Sequence, residues 1–337
     1  MIPFDYHRAA TLEEAISLGA EPETRFLAGG TNIIDLMKET VERPVRVVDI
    51  GRLGLDAIEE LPEGGLRLGA LAPNADTAYH PLVERDYPLL SSAILAGASP
   101  QLRNAATNGG NINQRTRCYY FYDVATPCNK RVPGSGCSAV GGVNRNHAIL
   151  GTSEACIATH PSDMCVALAA LNAVVQVSGP AGNREIPFAE YHRLPGDEPQ
   201  RDNTLTRGEL VTAIDLPAEH FREHYSYLKL RDRLSYAFAL VSVAAVLSLD
   251  GEKVLDARVA LGGVAHKPWR MREAEEMLIG SPVSERQFAA FAERLVEGAV
   301  GRGANDFKIE LAKRAISRAL TQAAAGTPQS QVDKKIA

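Results

Sequence analysis

The stretch from Asn108 to about Gly151 constrains the fold of this chain more than any other feature. Hydrophobic periodicity, clear on either side, fades there, and Gly, Asn, Pro, Arg and Cys dominate. A loop of that length inside a compact domain is as a rule functional or disordered. The clustered cysteines and aromatics point to a functional, ordered segment. Cys118, Cys128 and Cys137 lie within it, Cys156 follows closely, and Tyr119, Tyr120 and Tyr122 sit beside the first. The tyrosines can pack over a bound group or fill an aromatic core.

The spacing is Cys118-x9-Cys128-x8-Cys137-x18-Cys156. Four thiolates suffice for a [4Fe–4S] cluster or an all-thiolate zinc site. No close C-x2-C pair is present, so spacing leaves three readings open: iron–sulfur, zinc, and free or disulfide-bonded cysteines. Arg115, Arg117, Lys130, Arg131 and Arg145 are expected to offset the charge of a thiolate-bound cluster. Gly134 and Gly136 would let the backbone fold tightly around inorganic sulfide. Cys165 differs, because it lies in the apolar helical pattern SDMCVALAALNAV; a buried structural thiol is expected there. Five cysteines in 337 residues do not suggest a disulfide scaffold.

Regular elements flank the insert. Thr11 to Glu14 fits a capping box opening a helix that ends near Gly19. Residues 25–28 read as a buried strand running into Gly29-Gly30, a helical pattern covers Asn32 to about Thr40, and Pro44 to Ile50 reads as a strand. Further strands are expected at Leu66–Ala70, Ala173–Val177 and Leu210–Leu216, with a helix at Leu89–Ala98. Pro161 is expected at the first position of a helix running through about Leu171. After Pro217 three strands are expected, at Tyr225–Leu230, Ala237–Leu249 and Val254–Leu261, with Asp250-Gly251 as a hairpin turn signal. Helices at Trp269–Ile279, Ser284–Gly298 and Asp306 to about Ala323 close the chain before a polar tail. The best single domain cut falls near residues 217–224.

Two glycine turns carry the binding signal. FLAGGTNIIDLMK puts Gly29 and Gly30 between a strand and a helix, where free backbone N–H groups can meet a phosphate. ATNGGNIN, Ala106 to Asn113, is a second such turn, and the two together suggest loops closing on one pyrophosphate-bearing ligand. Neither matches G-x-G-x-x-G or G-x-x-x-x-G-K-[ST], which disfavours a Rossmann site or a P-loop. The 36 basic and 41 acidic residues are interspersed, with net charge −5, and no basic stripe suggests a nucleic-acid partner. The N-terminus lacks a basic segment followed by an apolar run, so no secretory signal is expected. The longest apolar run, Ala237 to Leu249, is too short to span a bilayer.

Taken together, AGGTN (Ala28 to Asn32), QLRNAATNGGNI (Gln101 to Ile112), HPSDM (His160 to Met164) and YLKLRDRLSYAFALVSVA (Tyr227 to Ala244) resemble the FAD-binding (medium) subunit of molybdenum hydroxylases of the xanthine dehydrogenase family. The resemblance runs from Ile2 to about Ala323. Within that family RTRCYYFYD, PCNKRVPGSGC, SEACIATHPSD and ALGGVAHKPWR are similar to the [4Fe–4S]-containing flavin subunit of the bacterial periplasmic aldehyde oxidoreductases. In most family members the Gly-Gly-Asn-Ile turn is followed almost at once by Ser-Pro-x-Ser-Asp. Here His160-Pro161-Ser162-Asp163 takes that place after an insertion of about forty residues holding the four cysteines.

The resemblance implies an α+β fold of PCMH type: FAD-binding subdomains at 1–55 and 56–220, the latter with an iron–sulfur insertion at about 114–158. A C-terminal domain at 221–325, a three-stranded antiparallel sheet with a helical bundle, and a tail at 326–337 would follow. It also implies roles. Phe26, Leu27, Ala28, Gly29, Gly30, Thr31, Asn32 and Ile33 would form the loop on the FAD pyrophosphate, and Thr107, Gly110 and Asn111 a second phosphate-side loop. Asp163 would hydrogen-bond FAD, Val211 would pack near it, and Lys229 would contact its flavin end. Cys118, Cys128, Cys137 and Cys156 would ligate a [4Fe–4S] cluster. The implied assembly is a heterotrimer with a large subunit carrying the molybdenum cofactor and a small subunit carrying two [2Fe–2S] clusters, passing electrons to an external acceptor, with no catalytic residue on this chain. Export to the periplasm would depend on a partner's twin-arginine signal; a cytoplasmic enzyme is the alternative. Two competing readings are a self-contained PCMH-type flavin oxidoreductase and a non-redox scaffold whose cysteines hold zinc.

Overall fold

The computed structural model describes residues 1–218, 221–326, 328 and 330; most of the expected 326–337 tail lies outside them. The first sheet joins β1 (Asp5–Arg8), β2 (Thr24–Leu27) and β3 (Arg46–Asp49) in the order β1-β3-β2, all parallel. Parallel neighbours need crossovers, and the helices Leu12–Gly19 and Ile33–Lys38 lie in the connections. Thr11 caps the first by accepting from Glu14 N at 3.2 Å, while the Glu14 carboxylate reaches one residue further back than a capping box requires, to Ala10 N at 2.7 Å. Val47 and Val48 are buried in the central strand.

The second sheet is antiparallel, in the order β4-β5-β8-β6-β7: β4 (Ile58–Glu60), β5 (Leu66–Gly69), β6 (Val174–Gly179), β7 (Gly182–Pro187) and β8 (Leu210–Leu216). Leu68, Val175 and Ile214 share its core with Leu89, Leu90 and Leu168 from the helices Pro88–Ala96 and Asp163–Ala170. At the start of its central strand β8, Leu210 packs with Val48 and Ile50, joining the first sheet to the second. Strands β1, β4 and β7 are not legible by periodicity; each is short or mostly solvent-facing.

The third sheet, β9 (Tyr225–Leu230), β10 (Val241–Asp250) and β11 (Lys253–Gly262), is antiparallel with β10 central. Val241, Val243, Ala245 and Leu247 face the helices Glu285–Leu295 and Phe307–Ala324, while Ala244 and Val246 face the core of the second sheet. Burial on both faces explains why this strand reads as one apolar run rather than an alternation. The helix Phe307–Ala324 buries Ala312, Ala315, Ile316, Ala319, Leu320 and Ala323, one stripe at helical spacing.

Two expectations need correction. The helix expected over Trp269–Ile279 is confined to Arg272–Glu275. Trp269 instead exchanges backbone hydrogen bonds with Leu261, at 2.8 and 2.9 Å, extending the edge of β11. Pro161 does not open its helix; Ser162 is the N-cap, accepting from Cys165 N at 3.1 Å, and helical residues begin at Asp163. A hydroxyl that can take up an otherwise unpaired N–H is worth more at the helix entry than a fixed φ one residue later.

Candidate functional site

β2 delivers the chain into the first glycine turn. A β-carbon on Gly29 would lie 1.8 Å from the Ala105 carbonyl oxygen, so this turn is seated on the backbone that leads into the second one. Gly30 follows at φ +73°, a left-handed conformation that other residues adopt only with strain. Phe26 packs its ring on Gly19. Among the described residues no protein acceptor takes the N–H of Ala28, Gly29, Gly30, Thr31, Asn32 or Ile33. Asn32 accepts from Arg115 N at 2.9 Å through Oδ1, and its Nδ2 is shut away from solvent without a partner. A row of free N–H groups with an orphaned buried donor fits an anionic ligand such as the FAD pyrophosphate.

The second turn is held from below. Thr107 caps the helix Asn108–Ile112 by accepting from Gly110 N at 3.2 Å. Gly109 donates to Ala70 O at 2.7 Å and Asn74 to Ala106 O at 2.7 Å, tying the turn to the end of β5. Fully buried Asn108 bonds Gly69 O and Thr77, while Asn111 donates to Asn74 at 2.6 Å and accepts from Ser162 and Gln114. This network of Asn74, Thr77, Asn108 and Ser162 was not visible in the sequence. Isolated polar residues carry no spacing signal, although Asn108 and Asn111 fall inside the NGGN string. Val211 is buried in β8, paired with Val177 beside a register shift in β6.

Asp163 and Lys229 are brought together. Lys229 Nζ donates to Asp163 Oδ2 at 2.8 Å and to Ala96 O at 3.0 Å, and Tyr227 donates to Asp163 Oδ1 at 2.7 Å. The side chains are 2% and 8% exposed, so this is a buried ion pair joining the third sheet to the helix Asp163–Ala170.

The four insertion cysteines are free thiols lining one small cavity, with Thr116, Tyr120, Phe121 and Lys130 among its other walls. Cys128 and Cys137 oppose each other in a β-bridge, closed by Asn129 N to Gly136 O at 2.7 Å and by positive φ at Gly134 and Gly136. Burial pushes the Cys118 thiol up to about 11. The hydrogen bond between Cys137 and Cys156 lowers the first to about 6 and raises the second. A metal or cluster held here would take these thiols as thiolates. Among the described residues no three of these sulfurs lie within 4.8 Å of one another. A tetrahedral zinc would draw all four to about 3.8 Å, from Zn–S bonds of about 2.3 Å. The Cys137 and Cys156 thiols lie within hydrogen-bond reach of each other while no three of the sulfurs converge, so the spacing by itself selects neither centre.

The cations expected to offset cluster charge are mostly paired with carboxylates, although Lys130 lines the cavity and acts on the Cys156 thiol. Arg115 bridges Glu42 and Asp202 at 2.6 and 2.7 Å, Lys130 meets Asp202 at 2.5 Å, Arg117 meets Asp35 at 3.0 Å and Arg145 meets Asp232 at 2.7 Å. Among the described residues Arg131 has no carboxylate partner; it bonds the carbonyls of Tyr120, Phe121 and Thr126. These cations brace the insert. Burial alone would raise the Asp202 carboxyl, but Arg115 and then Lys130 hold it below its ordinary range. Tyr120 lines the cysteine cavity, Tyr122 donates to Asp35 at 2.9 Å, and Tyr119 is exposed. Leu36, on the helix that the first glycine turn opens, packs with Phe121 and Cys128. The nucleotide turn and the cysteine cavity thus share one helix.

Sequence reasoning did not single out His147, whose Nε2 lies 3.0 Å from Cys118 Sγ. Burial and then the Lys308 ammonium push this imidazole down to about 4. Cys165 is fully buried, its thiol pushed up to about 12 by burial. It lies within 4.8 Å of nitrogens of His160 and His192, but His192 Nε2 is engaged by Ile112 O at 2.8 Å and His160 Nδ1 faces Ser162 N at 3.4 Å.

Residues 2–219 match the family model for the FAD binding domain in molybdopterin dehydrogenase, and residues 225–323 match the CO dehydrogenase flavoprotein C-terminal domain. The chain is 50% identical over 327 residues to the aldehyde oxidoreductase FAD-binding subunit PaoB of Escherichia coli, covering 96% of this chain and 99% of that one. It is 28% identical to the glyceraldehyde dehydrogenase medium chain of Sulfolobus acidocaldarius, over 84% of this chain and 83% of that one. Among solved structures, carbon monoxide dehydrogenase from Hydrogenophaga pseudoflava superposes with a TM-score of 0.74 at 26% identity, over 97% of this chain and 100% of that one.

Proposed function

The chain belongs to the FAD-binding subunits of the xanthine dehydrogenase-family molybdenum hydroxylases, and from that membership we propose that it is the electron-transfer subunit of an aldehyde-oxidising member that also holds a [4Fe–4S] cluster. It stands between partner [2Fe–2S] clusters and an external acceptor, in a heterotrimer whose large subunit carries the molybdenum cofactor. The observation that carries this reading is the shared helix: the Gly29-Gly30 turn opens it, and the cysteine cavity rests on its Leu36.

FAD, when bound, supplies the interchange between one- and two-electron transfer. The protein's part is binding and exclusion. Phe26 and Leu27 lead into the loop, and residues 28–33 present free N–H groups to the pyrophosphate, with Asn32 Nδ2 as an added donor. Thr107, Gly110 and Asn111 shape the opposing turn, and Val211 packs the wall between them. Asp163 and Lys229 lock the neighbouring seam so that water is kept from it. Cys118, Cys128, Cys137 and Cys156 hold the cluster in the insert. Residues 1–55 and 56–220 serve as the two halves of the flavin unit, and 221–325 as the domain that closes over them. No side chain here is assigned acid, base or nucleophile work toward the aldehyde. No helix among the described residues is long and apolar enough to cross a membrane; a periplasmic destination would be reached by co-export with a partner bearing a twin-arginine signal.

The test is iron, acid-labile sulfide and FAD per chain after anaerobic purification. About four irons and four sulfides with one FAD are expected. One FAD with neither iron nor sulfide, under conditions that preserve such clusters, removes the cluster from the reading. Zinc in place of iron, or turnover of aldehyde by the isolated chain, overturns it.

A further inference from the structure

We propose that His147 donates a hydrogen bond from Nε2 to the Cys118 sulfur and thereby sets the reduction potential of the cluster in the cysteine cavity. This rests on the [4Fe–4S] reading above.

The contact is 3.0 Å, and among the described residues His147 carries the one side-chain nitrogen hydrogen-bonded to any of the four sulfurs. A cysteine that ligates iron is a thiolate and has no proton to give. The hydrogen in this contact therefore belongs to Nε2. In a neutral ring Nδ1 is then a bare lone pair, and it is the His147 atom buried without a partner.

The C-terminal domain holds the backbone that carries this ring. Lys308 Nζ, fully buried, donates to His147 O at 2.9 Å and to Gly263 O. Asn305, also fully buried, donates to Ala148 O at 3.0 Å and to His147 O at 3.4 Å. Asn144 O accepts from His147 N at 2.9 Å. Lys308 lies in a helix of the C-terminal domain, yet its ammonium meets backbone carbonyls rather than a carboxylate. A buried ammonium is expensive to place, and here it fixes the backbone from which the His147 ring extends. Donors to a ligating sulfur favour the more negative, reduced cluster and raise its potential. His147 is thus a positioning and tuning residue, not a ligand.

The test is an EPR-monitored redox titration of purified protein carrying its cluster, comparing the wild type with His147→Phe and His147→Gln. His147→Phe should retain about four irons yet disfavour reduction roughly tenfold, a shift of about 59 mV to more negative potential for one electron. His147→Gln, whose amide N–H can reach the sulfur, should recover much of the shift. An unchanged potential in an iron-replete His147→Phe protein overturns the inference. If His147→Phe loses its iron, the wild type decides: pulsed EPR on the reduced, 15N-histidine-labelled protein should show a histidine nitrogen and an exchangeable proton coupled to the cluster, and their absence overturns the inference. Wild-type protein without iron and sulfide instead sinks the cluster reading, and this inference with it.

Discussion

Gly29 lies so close to Ala105 that a β-carbon on it would sit 1.8 Å from the Ala105 carbonyl oxygen. Glycine at this position is what allows the two nucleotide turns to meet. Gly29→Ala must push them apart and should weaken FAD binding at least roughly tenfold, or about 1.4 kcal/mol. The flavin-to-protein absorbance ratio after gel filtration reads this out. Full FAD occupancy in the variant would show that the turns do not need their contact.

Cys128 and Cys165 separate a cluster ligand from a core thiol. Cys128→Ser should remove the iron while leaving FAD bound, because serine nearly preserves the side-chain volume that packs with Leu36. Cys165→Ser should keep the iron and lower the stability, since it puts a hydroxyl into a fully buried core site. Metal analysis and thermal unfolding of the two variants check this; equal iron in both would break the ligand assignment.

The Asp163–Lys229 pair makes a prediction about the seam. Lys229→Met leaves a carboxylate that is 8% exposed without its cation. Removing one partner of a buried pair costs about 3–5 kcal/mol. The urea midpoint should fall accordingly, and Asp163→Asn together with Lys229→Met should recover part of the loss. A single variant as stable as the wild type would mean that water already reaches the pair.

Acid should loosen the insert through Asp202. Its folded pKa is depressed, so it contributes stability that is present above the unfolded value of about 3.9 and lost as the pH falls below that value. Asp202→Asn should therefore be less stable than the wild type near neutral pH, with the gap narrowing below about pH 4. Urea unfolding of both proteins across that range measures the gap; a constant difference would remove Asp202 from the acid response.

Much of the fold was legible because burial imposes repeats. The apolar run of β10, the stripe in the helix Phe307–Ala324 and the Thr11 cap each leave a local pattern in the sequence. The expected helix over Trp269–Ile279 failed because Trp269 finds a partner in Leu261, which no local pattern encodes. The carboxylate partners of the cations around the cysteines were not legible for the same reason. Arg115 and Lys130 converge on Asp202, 87 and 72 residues further along the chain, so their partners could not be known from spacing.

The sequence by itself determined the chemistry available: two glycine turns, four thiols in one insert, and family strings along most of the chain. Those are properties of residue type and near neighbours. Tertiary structure alone decided that the Gly29 turn rests on Ala105, that Leu36 links the nucleotide turn to the cysteine cavity, and that a buried lysine holds His147 beside Cys118. The physical reason is range. Hydrogen bonds and packing act over a few ångströms in space, and only the folded chain brings residues this distant in sequence within that reach.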